Sequence, residues 1–127
     1  MSDNQMSVRD VERDIMNRPS ERNTTNLDLK RMRMILDLLG NPQDSFRIIH
    51  ITGTNGKGST ARMAEAICRA YGMRTGLYTS PHLEHVSERI VIDGQRLSDD
   101  DFVELWNQVK DFVASSTRKW TRRARRA

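Results

Sequence analysis

The chain has 127 residues, 36% hydrophobic and 30% charged, which suits a single domain with a modest core. No apolar run approaches the ~20 residues of a membrane span, and MSDNQMSVRDVERD at the N-terminus lacks the apolar stretch of a secretory signal, so the cytoplasm is the expected address. The single cysteine, Cys68, excludes an internal disulfide and a Cys-based metal cluster, and the net charge of +4 belongs to one end: without Arg118, Lys119, Arg122, Arg123, Arg125 and Arg126, 15 basic residues face 17 acidic ones.

In chain order, Val8, Val11 and Ile15 fall at helical spacing among charges, predicting a short amphipathic helix over 7–17 that Pro19 ends. A second helix is expected over 27–39, with Leu29, Met32, Ile35, Leu36 and Leu39 on one face, Gly40 as its cap and Pro42 beyond. The Met32/Met34 pair reads as packing. Phe46 to Thr52 (FRIIHIT) is apolar and β-branched, the composition of a buried strand, which puts His50 in the core. A glycine turn, GTNGKGS, follows from Gly53 to Ser59. The next helix runs from near Ser59 to Tyr71, with Met63, Ala64, Ile67, Cys68 and Tyr71 on its apolar side. Cys68 there reads as a small packed thiol. Residues 74–79 (RTGLYT) predict a second strand. Strand, glycine turn, helix and strand make a βαβ unit, so the expected fold class is α/β: a parallel sheet flanked by helices.

Beyond Ser80-Pro81 comes a polar stretch with His82 and His85, both read as loop histidines. A short strand over 89–92 follows, ending in the hairpin signal Asp93-Gly94. Ser98 with Asp101 three residues on resembles a capping box. Asp99, Asp100 and Asp101 are then a first turn that favours the helix dipole, in preference to a metal cluster. Phe102, Leu105, Trp106, Val109, Phe112 and Val113 recur at helical spacing. From Ser115 the composition turns to Arg, Ala, Ser and Thr, so the expected division is a folded unit over 1–114 and a basic, disordered tail over 115–127.

The segment HITGTNGKGST, residues 50–60, carries the chemistry. Glycines let the main chain turn tightly and bring its N–H groups against phosphate oxygens. The following helix aims its unpaired N–H groups and positive dipole end at the same anion. Lys57 adds a charge for the β- and γ-phosphates, and the hydroxyl of Ser59 or Thr60 offers a magnesium ligand. Thr54, Asn55, Gly56, Lys57, Gly58, Ser59 and Thr60 are therefore the expected nucleotide-binding residues, with Lys57 in the catalytic role and ATP and Mg²⁺ as cofactors. The spacing G-x-x-G-K-G-S departs from the standard phosphate loop, being shorter before the lysine and one glycine longer after it.

This variant turn, with LDLLGNPQ (36–43), GLYTSPHL (76–83) and SERIVIDG (87–94), closely resembles folylpolyglutamate synthase and dihydrofolate synthase, of the Mur ligase superfamily. The resemblance covers about residues 27 to 113. It implies the N-terminal part of an ATP-binding, Mur-ligase-like domain, and ATP-dependent amide formation in which a carboxylate becomes an acyl phosphate that glutamate displaces. Folate or dihydropteroate and L-glutamate would be the substrates of a cytoplasmic monomer. By the same resemblance Ser80 is a magnesium ligand, with Ser59 of the glycine turn the second candidate, and the loop from Ser80 to Arg89 borders the pterin cleft, with Ser80, Pro81 and His82 as its substrate residues and residues near Thr25 to Asp28 also touching the pterin. Gly58 and the TSPHL string set the chain apart from peptidoglycan-building Mur ligases.

Family members are much longer and draw further magnesium ligands, a modified lysine and a glutamate-accepting domain from later sequence. The 127-residue polypeptide is therefore expected to be catalytically incomplete. Its Arg- and Ala-rich end is what an out-of-frame reading of GC-rich DNA produces, so a frameshifted or truncated gene is the expected origin. The DNA downstream of codon 127 would show it. The competing reading is a stand-alone nucleotide- or nucleic-acid-binding module using the basic tail, although that tail offers only Trp120 for stacking.

Overall fold

The computed structural model describes residues 6–17 and 29–124. The helix-breaking role of Pro19, the pterin contacts expected near Thr25 to Asp28, and Arg125 and Arg126 of the tail lie outside the described residues. Helix α1 spans Val8–Met16. It starts at a reciprocal cap: the Ser7 hydroxyl oxygen accepts from the Asp10 N–H at 3.3 Å, and the Asp10 carboxylate accepts from the Ser7 N–H at 3.0 Å. Helix α2 spans Lys30–Leu38 and ends as its composition requires, with Gly40 in the left-handed region at φ 80°.

Helix α3, Lys57–Ala70, follows the glycine turn. Three short strands come next: β1, Gly76–Tyr78; β2, Ile90–Ile92; and β3, Gln95–Arg96. They pair antiparallel in the order β1-β2-β3, with Leu77 opposite Val91 and Ile92 opposite Gln95. The tight β2–β3 turn is the expected one, since Asp93 and Gly94 both hold positive φ, 47° and 80°. Helix α4 spans Asp99–Ala124 and is capped by Ser98, whose hydroxyl oxygen accepts from the Asp101 N–H at 3.1 Å.

The core lies between α1 and α4. Val8 and Val11 meet Val103 and Trp106, with Met6, Ile15, Val86, Phe102 and Val109 packed around them. Helix α2 lies against α4 as well, and α3 against β1. A chain cut after a few strands is expected to leave Phe102, Val109 and Phe112 with little to pack against; Phe102 and Val109 instead pack on this cluster, while Phe112, with Leu105, stays exposed.

Two expectations change. Phe46–Thr52 forms no strand, and Phe46, Ile48 and Ile49 are 61%, 66% and 70% exposed. His50 is exposed with them and is not a core residue. A buried parallel strand needs a ladder neighbour and a layer over each face. Among the described residues none pairs with 46–52, and the strands that do form, β1 to β3, pair antiparallel, so the expected parallel sheet and βαβ unit are not seen among them. The other change is at the far end: α4 continues past Ser115 to Ala124, through residues expected to be an irregular tail. Arg118, Lys119, Arg122, Arg123 and Ala124 are good helix formers, and fully buried Ser116 keeps the helix packed beyond the last apolar repeat.

Candidate functional site

The glycine turn leads directly into helix α3. Gly56 is the residue before α3 and sits at φ 72°, a left-handed conformation that an L-residue adopts only at a cost. Because Gly56 turns the chain there, α3 begins at Lys57, two residues ahead of Ser59. The first intrahelical bond runs from the Thr60 N–H to the Gly56 carbonyl at 2.9 Å, so the N–H groups of Lys57, Gly58 and Ser59 precede the helix ladder. The first turn holds no acidic residue to compete for the positive end. Lys57 forms no ion pair with a described residue, and the whole stretch from Thr52 to Thr60 is exposed. Of the two candidate hydroxyls, Thr60 donates back to the Gly56 carbonyl at 2.9 Å, which leaves Ser59 as the better placed oxygen donor.

Helix α3 is fixed to the start of β1 from behind. The Glu65 carboxylate accepts from the Thr75 hydroxyl at 2.6 Å and from Arg69 Nε at 3.1 Å, and the Thr75 N–H donates to Asp93 at 2.7 Å. The Thr75 hydroxyl, with Arg69 beside it, holds the Glu65 carboxyl below its ordinary range. The glycine turn is therefore mounted on a helix tied to the hairpin.

The second stretch, Ser80 to Arg89, leaves β1 through a bond from the Thr79 N–H to the Arg89 carbonyl at 2.9 Å. Ser80 and Pro81, joined by a cis peptide bond, are exposed. His82 is half-buried and not simply solvent-facing: its Nδ1 accepts from Arg89 Nε at 2.8 Å, and Arg89 also donates to the Tyr78 hydroxyl at 3.3 Å. Glu88 gathers the main chain of the loop, accepting from the N–H groups of Leu83, Glu84 and His85 at 2.9, 3.1 and 3.0 Å. Those N–H groups, that of Leu83 first, bring the Glu88 carboxyl down to about 2 from an ordinary 4.5. The turn Val86–Arg89 is anchored in its own right: the Val86 N–H donates to Glu12 of α1 at 2.6 Å, and fully buried Ser87 donates to Asp99 while accepting from Arg96 at 3.2 Å.

Asp99, Asp100 and Asp101 lie in the first turn of α4, where Asp101 completes the cap with Ser98 and Asp99 holds Ser87. Cys68 is half-buried on α3. The residues expected to bind nucleotide, 54–60, are thus brought together by Gly56 and the first turn of α3. Ser80, Pro81 and His82 form a separate loop, and among the described residues no hydrogen bond or ion pair joins the two stretches. Sequence reasoning passed over Glu12, Glu88, Arg89 and Arg96. The spacing of His85 and Glu88, three residues apart with a carboxylate that returns to the start of the turn, is the capping signal that could have found Glu88.

A carboxyl whose value is lowered in the fold stabilises it above the unfolded value and loses that contribution as pH falls through the folded one. The Leu83–His85 loop is accordingly expected to hold down to about pH 4.5 and to come loose between pH 4.5 and 2. The amide resonances of Leu83, Glu84 and His85 followed through an acid titration check this; a midpoint at 4.5 would mean that the three bonds are not made.

No protein-family model matches the chain. Among curated relatives it is 48% identical over 86 residues to the dihydrofolate synthase/folylpolyglutamate synthase of Mycobacterium tuberculosis, an alignment covering 68% of this chain and 18% of that protein. It is 47% identical over 72 residues to the folylpolyglutamate synthase of Lacticaseibacillus casei, covering 57% and 17%. Among solved structures, M. tuberculosis folylpolyglutamate synthase complexed with ADP superposes with a TM-score of 0.81 at 39% identity, over 90% of this chain and 25% of that one. The bifunctional Yersinia pestis enzyme complexed with AMPPNP and Mn gives 0.74 at 30% identity, over 84% and 26%. The chain thus spans under a fifth of the length of these curated relatives.

Proposed function

We propose that this chain is the nucleotide-binding, amino-terminal part of a folylpolyglutamate synthase-type ligase, an ATP- and Mg²⁺-dependent enzyme that adds L-glutamate to a folate or dihydropteroate. The observation that carries the reading is the turn at Gly53–Ser59: a left-handed Gly56 feeding a helix whose leading N–H groups and Lys57 are unclaimed by acidic neighbours. Relatives that share this region are seen complexed with ADP, or with AMPPNP and Mn. Nothing in the comparisons favours a nucleic-acid-binding module. No helix among the described residues is long and apolar enough to cross a membrane, and a cytoplasmic location belongs to the same proposal.

The residues present fit a polyphosphate. N–H groups at the start of α3 supply fixed donors that need no reorganisation when the anion arrives. Lys57 supplies a mobile point charge. Magnesium keeps most of its coordination shell in water and phosphate oxygens, so one or two protein oxygens suffice; Ser59, and Ser80 from the second loop, are the candidates. When bound, ATP with Mg²⁺ supplies the phosphoryl group that activates a carboxylate toward amide formation. The chain's own part is to grip the phosphates with residues 54–59 and to border the acceptor with Ser80, Pro81 and His82.

Two results test this reading directly. Gly56→Ala meets no atom within 4 Å, so its effect is conformational alone. Forcing an L-residue to φ 72° costs about 1–2 kcal/mol, which relaxation of the turn converts into a loss of Mg-ATP affinity of roughly 5- to 30-fold. Calorimetry showing unchanged affinity would mean that the left-handed turn is not the binding conformation. The second test is activity: the 127-residue polypeptide by itself is expected to incorporate no glutamate into folate, because it spans 18% of the M. tuberculosis relative. Turnover by the purified chain would overturn that expectation.

A further inference from the structure

We propose that Glu88 is the positioning residue of the substrate-bordering loop, holding the main chain of Leu83, Glu84 and His85 in the conformation that receives the folate or pteroate acceptor; this rests on the ligase reading above. Three successive N–H groups converge on its two carboxylate oxygens, Leu83 on Oε2 and Glu84 and His85 on Oε1, at 2.9–3.1 Å. Core packing does not account for this order, since the Leu83 side chain is 94% exposed although its N–H is fixed. The loop is held by its backbone and its apolar side chain is left outward.

The holding group is itself held. The Glu88 N–H donates to the His85 carbonyl at 3.0 Å, and the Arg96 guanidinium stands 3.9 Å from its carboxylate. The next residue works on the other end of the loop: Arg89 bridges the His82 ring and the Tyr78 hydroxyl, donating to both. Glu88 and Arg89 together therefore set both sides of the turn that follows Ser80-Pro81. The charge balance also suits the acceptor. Three N–H dipoles and one guanidinium satisfy the Glu88 carboxylate where it lies, so it does not face an incoming substrate that carries carboxylates of its own.

The test compares the chain with its Glu88→Gln and Glu88→Ala variants in three measurements: amide exchange at 83–85, Kd for folic acid, and Kd for Mg-AMPPNP. Gln keeps the shape and one acceptor oxygen, so the fold survives in at least one variant. The expected result is exchange at Leu83, Glu84 and His85 that is about tenfold faster and folic acid binding that is about tenfold weaker, graded from Gln to Ala. Mg-AMPPNP affinity and the exchange of Thr79 and Leu97 in the hairpin should stay at their original values. Unchanged exchange, or faster exchange with unchanged folic acid affinity, would overturn the assignment. So would an unsubstituted chain that binds Mg-AMPPNP but no folic acid. Glu88-dependent folic acid binding without Mg-AMPPNP binding would support the assignment and sink the nucleotide reading instead.

Discussion

Lys57→Ala is expected to weaken Mg-ATP binding by roughly 10- to 150-fold, the loss of about 1.5–3 kcal/mol that accompanies removal of a charged hydrogen-bond donor from an anion. The magnitude follows from where the residue stands. Lys57 is the first residue of α3, directly after left-handed Gly56, and the turn that it opens has no acidic side chain. Its charge therefore adds to the dipole and the N–H groups at one point, with no internal ion pair among the described residues to offset it. Lys57→Arg is expected to restore only part of the affinity, because a planar fork does not occupy the place of a compact ammonium. Calorimetry of the two variants with Mg-ATP at fixed salt is the check. Equal affinity for Lys57→Ala and the natural chain would place the amine away from the phosphates.

Trp106→Ala should unfold the α1–α4 pair at room temperature. Truncation of a buried tryptophan costs about 3–5 kcal/mol, against a total of about 5–15 kcal/mol for an ordinary domain. Among the described residues the core is small: Val8, Val11, Val103 and Trp106 are its buried apolar side chains, while Phe46, Ile48, Ile49, Met63, Ile67 and Tyr71 are exposed. Trp106 supplies the largest of the four surfaces. Removing it also loosens Val86, which packs on the same cluster and begins the turn that carries Glu88. The checks are thermal melting by circular dichroism and amide exchange in α1. A variant that melts at the temperature of the natural chain would show that stability resides elsewhere, and a cooperative high-temperature transition of the natural chain would contradict the small core itself.

The helices and turns were readable from local chemistry. Ser7 and Asp10, Gly40, Asp93-Gly94 and Ser98 with Asp101 each act through neighbours within a few residues, and each does what its type dictates. The glycine turn is local in the same way, since Gly56 and Lys57 sit side by side where α3 begins. The strand at Phe46–Thr52 was not, because a ladder is a property of two segments; FRIIHIT shows a preference for burial without showing what would bury it. The expected irregular tail at 115–124 is helical instead, because the end of an apolar repeat does not end a helix: Arg118, Lys119, Arg122, Arg123 and Ala124 favour it, and Ser116 is still fully buried. The bonds of Glu12 to Val86 and of Ser87 to Asp99 join residues distant in sequence, which no spacing rule reports. Glu88 lies between these cases: its turn is local, while its use of both oxygens on three N–H groups appears only in the fold.

The anion site proposed at the start of α3 is tested most directly by titrating Mg-AMPPNP into ¹⁵N-labelled chain and following the amide resonances. The account predicts saturable shifts centred on Gly56, Lys57, Gly58 and Ser59, abolished by Lys57→Ala, with the α1–α4 core unmoved. Shifts confined to the arginines of α4, or none at the turn at concentrations that saturate the nucleotide-bound relatives, would contradict it.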